Sequence, residues 1–159
     1  MSVKSGFPWW LKIAAKVFLS RMPLPYRAWN RLGLFEHGSM KLPDYSMGVF
    51  LSHFGMAAFE GRSGCTCLEI GPGGSLCSAM IAKAKGTTRC WMVDSGDLAQ
   101  RDVLIYHSMA RHLEQLGLMA PPPEALASFD TLLADCNATY LTGGIDSSRT
   151  VPNVSVDLI

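Results

Sequence analysis

The chain has 159 residues, 48% hydrophobic and 17% charged, which is enough apolar chain to bury one core and excludes a disordered polymer. Its 14 basic and 13 acidic side chains leave a net charge of +1, without the marked basic excess of a general nucleic-acid binder, so no nucleic-acid partner is expected. The five cysteines, Cys65, Cys67, Cys77, Cys90 and Cys136, with no secretory signal, favour free thiols in a reducing, cytoplasmic setting.

Phe7 to Leu19 is rich in apolar residues, with Lys12 and Lys16 inside it. It is too short and too broken to span a bilayer, which needs roughly 20 apolar residues. Charge inside the apolar run also makes it a poor signal peptide. Residues 8–22 read as a helix that stops before Pro23. Such a basic amphipathic helix can make a weak contact with a membrane surface, or it can pack on the domain. Tyr26 to Phe35 reads as a second short helix, ending near Gly38. Asp44 can cap a third, in which Met47, Phe50, Leu51, Phe54, Ala57 and Ala58 mark one apolar face. Residues 1–62 are thus expected to form a helical extension or cap.

The pattern changes at Gly64. Cys65–Ile70 is a short apolar run suited to a buried strand. Ser75–Lys85 reads as a helix, with Ser75 as its N-cap and Gly86 as its stop. Cys90–Val93 is a second strand, ending at Asp94. Leu98–Leu116 is a long helical stretch that Asp97 can cap, and Phe129–Cys136 a shorter one. Ala138–Leu141 fits a third strand and Val154–Ile159 begins a fourth. Cys65 and Cys67 share a strand face, but no second Cys or His pair has ligand spacing, which favours buried thiols over a metal site. Asn137-Ala138-Thr139 matches a glycosylation sequon, which means little without secretion.

Alternating strands and helices from Cys65 onward imply a parallel sheet with crossover connections. The ligand site of such a sheet lies at the carboxyl ends of its strands. Residues 71–75, 94–97 and 142–144 fall there. The run Leu68-Glu69-Ile70-Gly71-Pro72-Gly73-Gly74-Ser75 supplies a glycine turn that a ligand can approach closely and a following helix start with free N–H groups. A dinucleotide fingerprint needs a third glycine where Leu76 stands. Glu69, two residues before the first glycine, would repel a pyrophosphate and welcome a cation. Asp94 can accept hydrogen bonds from both hydroxyls of a ribose.

These stretches resemble a known family. Cys67 to Gly73 is similar to motif I of class I S-adenosylmethionine-dependent methyltransferases, an acid-x-Gly-x-Gly pattern. Trp91-Met92-Val93-Asp94 is similar to the family's second strand with its ribose-binding acid. Pro152 to Ile159 is similar to the loop leading into strand four. The resemblance covers residues 63–159. It implies an α/β fold with a partial Rossmann-like parallel sheet of about four strands, helices on both faces and a helical N-terminal extension. It further implies S-adenosylmethionine as cofactor, with Glu69 near the methionine end, Gly71, Pro72, Gly73 and Ser75 in the turn beside it, Asp94 and Ser95 at the ribose, and Gly143 near adenine. Many relatives carry an acid near the adenine; here none occurs between Thr142 and Asp146.

In this family the acceptor-side residues commonly follow strand four, so the sequence is expected to be truncated within that strand, and it assigns no catalytic residue. His37, His53, His107 and His112 are candidates by residue type alone. The expected activity is methyl transfer to a small molecule or an envelope precursor. A nicotinamide-dependent oxidoreductase and a non-catalytic binding module on a methyltransferase-like fold are the competing readings.

Overall fold

The computed structural model describes residues 40–59 and 63–159, with Trp10, Ile13 and Val17 as single helical positions. Packing divides the chain into two units, Met1–His37 and Gly38–Ile159. The helix expected over Tyr26–Phe35, His37, and the rest of the helix expected over residues 8–22 lie outside the described residues. The second unit runs α1 (Pro43–Met56), β1 (Thr66–Ile70), α2 (Cys77–Ala84), β2 (Arg89–Val93), α3 (Leu104–Gln115), a 3-10 turn (Ala125–Ala127), α4 (Phe129–Asp135), β3 (Ala138–Leu141) and a second 3-10 turn (Gly144–Thr150).

The three strands form one parallel sheet in the order β1-β2-β3. Cys67 stands beside Cys90 and Cys90 beside Ala138, while Glu69, Met92 and Tyr140 align two residues further on. This shared face meets the helices. Cys67, Cys90 and Met92 join one core with the α2 residues Met80, Ile81 and Ala82 and with Tyr106, Met109 and Leu113 of α3. Helix α2 is buried from Cys77 to Ala82, as its nearly all-apolar sequence requires. A fully enclosed side chain such as Ile81 contributes about 1.5–3 kcal/mol by leaving water.

The fourth expected strand is a correction: the sheet has three strands, and Leu158 makes only a single parallel bridge to Cys67. The bridge lies on the edge of β1 away from β2, where the Leu68 N–H donates to the Leu158 carbonyl at 2.8 Å. Local geometry prevents a longer ladder. Val154 has a left-handed φ of 56°, and Ser155 Oγ turns back to the Pro152 carbonyl at 2.6 Å. The Asp157 carboxylate then takes the Thr66 N–H at 2.8 Å. Extended pairing is confined to the last few residues.

Among the described residues the α-helices lie against one face of the sheet, where the sequence predicts both. The links β1 to β2 and β2 to β3 advance in the same direction, and right-handed crossovers then put their helices on the same side. The return from β3 to the far edge of β1 contains a 3-10 turn and no α-helix. On the other face Arg89 lies 4.4 Å over the Trp91 ring and donates to Asn137 Oδ1 and Thr139 Oγ1 at 2.6 Å each. Asn137 also donates to the Thr88 carbonyl, so the sequon asparagine is part of the packing.

Helix α3 begins at Leu104, six residues later than its apolar pattern suggests. Side chains from elsewhere hold the preceding loop. Tyr140 Oη accepts from the Leu98 and Ala99 N–H groups at 3.0 and 3.2 Å and donates to the Gly96 carbonyl at 3.0 Å. Tyr106 Oη donates to the Gln100 carbonyl at 2.8 Å. Asp97 caps nothing and pairs with Arg101 at 3.3 Å; Asp102 takes the Leu104 N–H instead, at 3.0 Å. Tyr140→Phe is expected to lower stability by about 1–3 kcal/mol by stranding these loop groups, as read by urea denaturation. A change below a few tenths would show that water replaces the hydroxyl.

Candidate functional site

The turn after β1 needs its glycines. Gly71 and Gly73 adopt left-handed φ values of 76° and 70°, which an L side chain reaches only with strain. Pro72 stiffens the link between them. No neighbouring atom crowds the Cβ positions: the nearest contact at Gly73 is 3.9 Å and Gly71 has none within 4 Å. The requirement is therefore conformational and not steric.

Asp94 holds this turn in place. One carboxylate oxygen takes the Gly73 N–H at 2.9 Å and the other the Ser95 N–H at 2.7 Å. Its own N–H donates to the Leu141 carbonyl at 2.8 Å, and its carbonyl accepts from Gly144 at 2.8 Å. Gly71, Pro72, Gly73, Asp94, Ser95 and Gly143 are thereby gathered at the carboxyl end of the sheet. Asp94 itself is only 5% exposed. The Ser95 hydroxyl also donates to the oxygen that takes its N–H, at 3.3 Å, so the oxygen facing Gly73 is the one that keeps a further lone pair.

Ser75 departs from the expected role. It is fully buried and donates to the Met40 carbonyl at 2.6 Å. Helix α2 starts two residues later, at Cys77, with Leu76 as an N-cap that makes no side-chain bond. The hydroxyl ties the chain ahead of α1 to the glycine turn. Leu76 is buried in the core, so the place of a third glycine is filled by packing.

Glu69 is half-buried on the helix-covered face of β1 and accepts a hydrogen bond from Ser78 Oγ. It lines a pocket of about 290 Å³ with Met40, Phe50, His53, Ser78 and Leu158. No salt bridge reaches it among the described residues. Burial pushes its carboxyl above the ordinary range, the Ser78 bond opposes this, and the nearby Asp94 charge pushes further up. The pocket flanks β1 beside Glu69 and does not include the glycine turn.

The chain advances from β1 to β2 to β3 and then returns to the opposite edge of β1 at Leu158. That reversal makes the carboxyl end of β1 the switch point at which open α/β sheets bind ligands. Of the candidate histidines, His53 lines the pocket. His112 lies 3.6 Å from Asp44, and His107 is exposed on α3. Sequence reasoning missed Ser78, Met40 and Phe50, because their approach to Glu69 depends on how α1 and α2 pack. The one signal available for Ser78 was a polar residue within an apolar first turn.

The five cysteines are free and buried. Burial pushes the Cys77 thiol up to about 11 and the Cys136 thiol up to about 12, which keeps them unreactive. Comparisons with protein-family models, curated proteins and solved structures returned no match.

Gly71→Ala and Gly73→Ala are each expected to cost about 1–2 kcal/mol through left-handed strain. Gly48→Ala, inside α1 with open space at its Cβ, should instead gain about 0.5–1 kcal/mol. Urea denaturation of the three variants separates strain from a general intolerance of glycine replacement. A second expectation concerns Glu69. Its raised carboxyl pKa means that the folded state holds the proton more tightly than the unfolded chain. That contribution is present below the ordinary value and is lost as pH rises through the raised one. Glu69→Gln should therefore gain stability relative to the parent as pH rises above about 4, the ordinary glutamate value. A difference that stays flat as pH rises would contradict the assigned burial.

Proposed function

We propose that this chain carries the cofactor-binding part of an S-adenosylmethionine-dependent methyltransferase acting on a small-molecule or envelope-precursor acceptor. The observation that carries the reading is Glu69: a half-buried carboxylate with no salt bridge among the described residues, facing a pocket beside a turn of two left-handed glycines. Such a group fits a cationic ligand and disfavours a phosphate. On this reading the sheet belongs to a Rossmann-like fold, and the return of Leu158 to the free edge of β1 supports that order. The free, buried thiols support a reducing, cytoplasmic setting.

The residues present fit the cofactor. Bound S-adenosylmethionine supplies an electrophilic methyl group on a sulfonium. Glu69 would balance its positive charge, with Ser78 holding the carboxylate in orientation. The backbone from Gly71 to Gly73 would allow close approach. The lone pair left on the Asp94 oxygen that faces Gly73 would accept from a ribose hydroxyl, with Ser95 alongside and Gly143 toward the base. The rest of the chain's task is alignment, since displacement at a methyl carbon depends on holding the nucleophile in line. No residue is assigned as a proton acceptor.

Calorimetric titration of the chain with S-adenosylmethionine tests the reading. Binding is expected, weakened at least about tenfold by Glu69→Gln and by Asp94→Asn, as loss of a charge-assisted contact predicts. Affinity should also fall as pH drops through the raised Glu69 value, because protonation removes the charge that the cation meets. Absence of binding, or uptake of NADH in a fluorescence titration instead, would overturn the proposal.

A further inference from the structure

Positive charge is unevenly placed along this nearly neutral chain. Lys4, Lys12, Lys16, Arg21, Arg27 and Arg31 all precede the first acidic residue, Glu36. This stretch coincides with the separate unit Met1–His37; the remainder, Gly38–Ile159, carries more acidic than basic residues.

The same unit exposes apolar side chains. Trp10, Ile13 and Val17 are helical and are 58%, 53% and 49% exposed. Their spacing of three and then four residues puts them on one stripe of a helix. Lys12 and Lys16 interleave with these positions in the sequence. An apolar stripe headed by a tryptophan, in a stretch with six basic residues ahead of its first acid, matches the polarity of a bilayer surface. Indole belongs at the headgroup level, and lysine can reach lipid phosphates while its stem stays in the apolar layer. No helix among the described residues is long and apolar enough to cross a membrane.

We propose that the Met1–His37 unit docks on an anionic lipid surface, with Trp10, Ile13 and Val17 entering the interface and Lys12 and Lys16 meeting the headgroups. Charge selects this occupant. A neutral protein groove would cover the apolar stripe but leave the basic run unmatched, whereas an anionic bilayer satisfies both.

The test is co-sedimentation of the full chain with vesicles of phosphatidylcholine alone or of phosphatidylcholine mixed with phosphatidylglycerol. The chain should pellet with the mixed vesicles at low salt, pellet far less with the neutral ones, and be released as salt screens the charges. Lys12→Gln and Lys16→Gln should each weaken partitioning about fivefold. Ile13→Glu with Val17→Glu should abolish it. These two positions are exposed, and an unchanged circular dichroism spectrum identifies the loss as one of docking. Equal pelleting with neutral vesicles, no pelleting with anionic ones, or pelleting unaffected by Ile13→Glu with Val17→Glu would each overturn the proposal. Retention of a random RNA oligonucleotide without vesicle binding would overturn it in favour of a nucleic-acid partner. Vesicle binding does not depend on the cofactor, so its outcome is separable from that of the S-adenosylmethionine titration.

Discussion

Asp94 is the residue on which the carboxyl end of the sheet depends. Its side chain and backbone together reach the turn after β1, the start of its own loop, the last residue of β3 and the loop beyond it. A parallel sheet leaves each strand end with a separate connection to order, and unpaired backbone groups there are costly when buried. One carboxylate placed among them satisfies two N–H groups at once. The left-handed glycines are held open beside it, and the loop that follows β2 is held down from the other side by Tyr140.

This scaffolding role constrains the ligand reading as much as it supports it. A ribose acceptor has to be fixed before the ligand arrives, and Asp94 is fixed by bonds to backbone that cannot rotate away. Glu69 contrasts with it. Its carboxylate accepts from the Ser78 hydroxyl, it is half-buried, and Asp94 adds repulsion. The Asp94 charge adds to the cost of ionising Glu69. A cation that enters beside Glu69 relieves this cost.

Much of the second unit was legible in the sequence because its signals are local. Apolar runs bounded by glycine gave β1 and β2 to within a residue, β3 as drawn, and α2 with its stop at Gly86, whose φ of 85° is the left-handed value a helix end favours. The late start of α3 and the different employment of Ser75 arise from partners distant in sequence, Tyr140 for the loop and Met40 for Ser75. Asp97 pairs instead with Arg101, and the turn at Val154 and Ser155 cuts the fourth strand short. The capping box that starts α4, Ser128 with Thr131, lacked the usual acid or amide at its third position and gave a weaker signal.

The sequence by itself determined the parallel α/β character, the glycine turn, and the two acids at the ends of adjacent strands, since strand period and backbone chirality act over a few residues. The tertiary structure alone decided which side chains meet those acids. It put Ser78 and His53 at the Glu69 pocket, occupied both Asp94 oxygens with backbone N–H groups, and turned Ser75 toward Met40. Hydrogen-bond partners are chosen by the packing of whole elements against one another, and no local pattern encodes that choice.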